Sequence, residues 1–132
     1  MMNSAKKDIV RDETLIFACS GASNLGQLSN TAALALHEEG CGQFYCLAAI
    51  GEEVAEKIIC ARAADARVVI DGCNAACGKI ALERVGLTVD HHLIVKQLGI
   101  EKQSTFAVSD GEVKQVVTAV KQGLVQAKSH VN

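Results

Sequence analysis

The twelve residues Arg67–Gly78, RVVIDGCNAACG, decide how the chain folds. Val68, Val69 and Ile70 are consecutive β-branched residues and make a short apolar strand. The run has no polar alternation, so both of its faces must be covered, as in a parallel sheet flanked by helices. Asp71-Gly72 closes the strand. A helix is expected from Ala75 to Val85, stopped by Gly86. A strand that feeds a helix is half of a βαβ crossover.

The same unit recurs on either side. Leu15–Cys19 is an apolar strand, followed by the loop Ser20–Asn24. Leu25, Leu28, Ala32, Ala35 and Leu36 then repeat at helical spacing as far as Gly40. Phe44–Cys46 reads as a second strand. Gly51 and two glutamates are expected to open a helix with Val54, Ile58 and Ala61 on one face. Leu93–Val95 reads as a fourth strand, and Thr105–Val108 fits a short extra edge strand. Ser109 and Glu112 form a capping-box pattern before Val113, Val116, Val117, Val120 and Leu124. Strand alternating with helix four times predicts a single-domain, three-layer, Rossmann-like α/β fold. Its four-stranded, mostly parallel sheet carries helices on both faces. Residues 1–13 read as a flexible polar arm and residues 14–132 as one domain.

Composition narrows the function. A hydrophobic fraction of 49% supplies a core, which excludes a disordered chain. Net charge is −2, with one Tyr, three Phe and no Trp, so the basic surface and stacking rings of a nucleic-acid binder are missing. No segment has the apolar length of a signal peptide or membrane span, which points to a cytoplasmic protein without a membrane partner. Thiols stay reduced in that compartment. Six cysteines therefore read as metal ligands, redox thiols or core residues rather than as a disulfide framework.

Four of them fall at one place in the expected fold. Cys19, Cys46 and Cys73 each close a strand, and each interval between them is 27 residues, about one βαβ step. In an open α/β sheet the carboxyl ends of the strands are where ligands bind. Cys77 is four residues beyond Cys73 at an expected helix start, where residues four apart share a face. A helix N-terminus also favours thiolate. Converging thiolates bind soft metals or exchange disulfides. Four around one ion is the tetrahedral arrangement zinc favours. Taken singly, each cysteine is also an ordinary small apolar residue, and that reading is preferred for Cys41 and Cys60.

The loop SGASNLG, residues 20–26, is no ATP cradle, because Gln27-Leu28 stand where Lys-Ser/Thr is required. Leu25 stands where a low-molecular-weight thiol phosphatase needs arginine, six residues after its cysteine. The loop remains a strand-to-helix turn with N–H groups to offer a thiolate or an anion. His91 and His92 are expected before the fourth strand, on the opposite edge and about 15 Å from the cysteines. Asp71 reads as a cap or turn former for the helix that follows.

Four stretches together resemble the DGC-domain family of zinc-binding proteins of prokaryotes. They are CSGASNLGQLS (19–29), CLAAIG (46–51), DGCNAAC (71–77) and LGIEK (98–102). The resemblance implies a zinc site on Cys19, Cys46, Cys73 and Cys77, and supplies no substrate or reaction. The expectation is a soft-metal-binding protein acting in metal or metalloid sensing or delivery. The alternative is a thiol-redox enzyme or sulfur/metalloid carrier using Cys73 and Cys77.

Overall fold

The computed structural model describes residues 13–131, with side chains from Glu13 to Val125. The expected arm thus lies outside the described residues except for Glu13. Glu13 is pinned, because its carbonyl accepts from Asp65 and Ala66 and its N–H donates to Asp65 Oδ2.

The elements in chain order are β1 (Thr14–Ala18), α1 (Asn24–Glu38), β2 (Gln43–Phe44), α2 (Leu47–Gly51) and α3 (Ala55–Ala63). They continue with β3 (Ala66–Asp71), α4 (Cys77–Arg84), β4 (His91–Ile94), a 3₁₀ turn (Val95–Leu98) and α5 (Asp110–Val131). The sheet order is β2-β1-β3-β4, and every pairing is parallel. The chain steps from β1 to one side and then crosses to the other, so the switch point lies between β1 and β3.

Strand alternation assigns the two faces. Ile16, Ala18, Val68 and Ile70 pack under α1 and α5, against Leu28, Leu36, Val116 and Val120. Leu15, Phe17 and Val69 pack on the other face against Ile50, Ala61 and Leu82, from α2, α3 and α4. Val68, Val69 and Ile70 are all fully buried, as the unbroken apolar run requires. Among the described residues no helix is long and apolar enough to cross a membrane.

Three local expectations are corrected. The glutamates after Gly51 do not open a helix. They follow the unforeseen α2, and Glu53 takes a left-handed φ of 60° before α3 begins at Ala55. The helix expected from Ala75 begins instead at Cys77, because Ala76 is left-handed at φ 53° and interrupts helical geometry. Thr105–Val108 is not a strand. Ala107 N–H turns back to Thr105 Oγ1, and upstream the backbone at Glu101 and Gln103 bonds to the Asn24 side chain rather than to a neighbouring strand.

Candidate metal centre

The ladder delivers the cysteines to one edge. Cys19 follows β1 directly, and its N–H donates to Ile70 O at 2.9 Å, which continues the β1–β3 pairing. Tyr45 N–H donates to Ile16 O at 2.9 Å, which continues β2 toward Cys46, the residue that opens α2. Cys73 is two residues beyond β3, and Cys77 is the first residue of α4. Three neighbouring strands are thus each followed within two residues by a cysteine, in the order Cys46, Cys19, Cys73.

The loops are held in close contact by glycine. A Cβ on Gly72 would stand 2.8 Å from the Leu25 carbonyl carbon and 2.9 Å from Gly26 N, so the β3–α4 loop lies on the first turn of α1. A Cβ on Gly26 would run into the Gly21 backbone. Ser23 caps α1, its Oγ accepting from Gly26 N–H. Gly21 N–H points at Cys19 Sγ, 3.3 Å away. The expected loop-to-thiol hydrogen bond is therefore present.

All six cysteines are free thiols. Cys46, Cys60, Cys73 and Cys77 are exposed, and Cys19 and Cys41 are half-buried. Cys41 packs against the core beside α1. Cys60 is no core residue. It lies on the open side of α3 next to Tyr45, whose hydroxyl pKa is raised by burial and by Cys60. Among the described residues no three of His, Cys, Asp and Glu are already gathered as an ion would hold them. Nor are Cys73 and Cys77 on one helical turn, as was expected. Cys73 lies in the turn closed by Ala76 N–H donating to Cys73 O, and only Cys77 is helical.

Asp71 organises this edge. It is 1% exposed. Its Oδ1 accepts from Gly78 N–H at 2.8 Å, and its Oδ2 accepts from Lys79 N–H at 3.1 Å. The capping role read from the sequence is thereby met, though from the strand rather than from the N-cap position. The same Oδ2 is 2.8 Å from His92 Nε2. His92 is therefore one hydrogen bond from the residue that leads into Gly72-Cys73, not on a remote edge. The reason is that β4 begins at His91 rather than at Leu93. Pairing Val69 with His92 puts that ring on the face of Asp71, one diagonal step below it. His91 points to the other face, and its ring fills the notch left by Gly123 on α5. Burial, followed by the charge of His92, lowers the pKa of His91.

Asn24 is a second contributor unforeseen in the sequence. It is 3% exposed and pins the LGIEK segment, donating from Nδ2 to Glu101 O and accepting at Oδ1 from Gln103 N–H.

As a donor set the edge suits zinc. It offers four soft thiols, three of them exposed at a loop, a helix N-cap and a helix start, and an N–H donor already directed at the fourth. The domain is thus an α/β protein of the all-parallel kind, with thiols at the carboxyl edge of its sheet. The DGC domain model matches residues 15–120, and the chain belongs to that family. The chain is 34% identical over 89 residues to the anaerobic and virulence modulator AnvM of Pseudomonas aeruginosa, covering 67% of this chain and 68% of the relative. No solved structure matches it.

Proposed function

We propose that the chain binds a soft metal ion, zinc foremost, through Cys19, Cys46, Cys73 and Cys77, and acts in metal or metalloid sensing or delivery. The observation that carries this reading is the strand order, which puts a cysteine just after each of three adjacent strands and starts the next helix with a fourth. Zinc–sulfur bonds of about 2.3 Å require the sulfurs to come within roughly 4 Å of one another. Binding therefore draws exposed Cys46, Cys73 and Cys77 onto half-buried Cys19. Four thiolates would fill the coordination sphere, which favours holding an ion over activating a substrate on it. The relative's name describes a modulator, and a regulatory use of such a site accords with it.

Metal analysis of protein purified without chelator tests the reading. About one zinc per chain is expected. Cys73→Ser or Cys77→Ser should lower occupancy, whereas Cys41→Ser and Cys60→Ser should retain it. Metal-free protein whose thiols titrate at the same rate with and without zinc would sink the proposal.

Exposure of both Cys73 and Cys77 across one tight turn favours a second reading, thiol exchange. In it the two thiols give up two electrons and two protons to an oxidant such as diamide and form one disulfide. Mass spectrometry of oxidised, metal-free protein decides. A Cys73–Cys77 bridge supports exchange, and its absence under excess oxidant removes it.

A further inference from the structure

The position of Cys77 depends on a group that is not a thiol. The first turn of a helix leaves N–H groups without intrahelical partners, and these are usually met by the N-cap side chain. The N-cap of α4 is Ala76, which has no acceptor to offer. Asp71 supplies both acceptors from the end of β3, to Gly78 N–H and Lys79 N–H. A carboxylate that is 1% exposed is costly unless its oxygens are occupied. Its third partner is His92, at 2.8 Å. A carboxylate only accepts, so in this pairing the ring would donate from Nε2. Gly78 completes the fit, since a Cβ there would stand 2.9 Å from Asp71 Oδ1 and 2.8 Å from Val69 Cγ1.

We propose that His92 is a positioning residue of the thiol edge. By donating to Asp71 it fixes the carboxylate that seats the first turn of α4, and so sets where Cys77 stands relative to Cys73 and Cys19. The inference rests on the reading of that edge as a soft-metal site. Partners that orient a ligand through a hydrogen bond are a general feature of metal sites. Here the oriented object is the helix that carries the ligand. Without His92, Asp71 keeps two partners and is freer to turn, the first turn of α4 frays, and each binding event must gather a less confined Cys77.

The natural chain, His92→Ala and His92→Gln are compared, since glutamine retains an N–H donor on a side chain of similar reach. Three quantities are read. They are zinc affinity by competition with a chromophoric chelator, hydrogen exchange at the Gly78 and Lys79 amides, and alkylation of Cys77 relative to the exposed thiol of Cys60. His92→Ala should weaken zinc binding by about 10- to 100-fold. It should also speed exchange at both amides and raise the Cys77/Cys60 alkylation ratio, while β1 and β3 stay protected. His92→Gln should restore most of all three. Natural exchange rates at Gly78 and Lys79 in His92→Ala would overturn the proposal. So would a fall in zinc affinity without that exchange, which would make His92 a ligand. Failure of His92→Gln to rescue would overturn it too. If His92→Ala loses protection across the whole sheet, His92→Gln decides: natural values uphold the role and loss refutes it. If the natural chain binds no zinc, the metal reading fails, and exchange and alkylation still judge His92.

Discussion

Asp71 shows how much one side chain can hold at a sheet edge. Its carboxylate serves two amides of α4 and the ring of His92 while almost wholly out of solvent. Asp71→Ala would leave those donors unmet in a largely buried site. It should cost about 2–4 kcal/mol in urea unfolding. A loss below 1 kcal/mol would mean that water replaces the carboxylate. His91 makes a different demand. Its Nε2 is buried and has no hydrogen-bond partner among the described residues, and burial lowers its pKa. The folded state therefore prefers the neutral ring. Its contribution to stability is whole above the ordinary value of 6.5 and is lost as pH falls from there through the lowered value. The natural chain should lose Tm below about pH 6.5 more steeply than His91→Phe. Parallel Tm curves from pH 7.5 to 5 for the two proteins would refute this.

At the scale of elements, the sequence disclosed most where one force acted and least where two competed. The buried strands were legible because Val68, Val69 and Ile70 leave no polar face. The capping box at Ser109 and Glu112 was legible because its two hydrogen bonds are local, and both are present. Ser109→Ala should accordingly cost about 1 kcal/mol. Chemical denaturation showing no loss would place that cap outside the stability of α5. The start of α4 was misread because alanine is the best helix former, and nothing in Asn74-Ala75-Ala76 announces a left-handed residue. The amides just after it bond to Asp71, which lies outside the segment. Ala76→Gly should relieve the left-handed strain and raise stability by up to about 1 kcal/mol, since glycine carries no Cβ penalty at a left-handed N-cap. A destabilised Ala76→Gly would show that the turn is not strained. His92 was misplaced for a related reason. Histidine is no strong strand former, and the pairing of Val69 with His92 that brings it under Asp71 is a long-range register.

For the whole molecule, the decisive fact is the crossing of the chain from β2 over β1 to β3. Intervals of 27 residues between the cysteines hinted at a shared edge, but strand order, not spacing, makes Cys19 the middle member between Cys46 and Cys73. Spacing could not show that the four thiols are not gathered into one cluster among the described residues, since that depends on how side chains at loops and a helix start are placed. If the proposed site forms, metal binding and the stability of the fold become one linked quantity. An ion that joins residues from β1, β2 and the β3–α4 loop ties three strand ends together, and it has no such site in the unfolded chain. Free zinc at a hundredfold its Kd should then add about 2.7 kcal/mol. For a domain of this size that corresponds to a rise in Tm of about 10 °C. Replacing Cys46 with serine separates a shared site from a local one. If all four thiols close on one ion, Cys46→Ser should lose most of the zinc-dependent rise while leaving the metal-free Tm nearly unchanged. If Cys46→Ser keeps the full rise, the ion is held within Cys19, Cys73 and Cys77, and the edge is a three-thiol site with an open position.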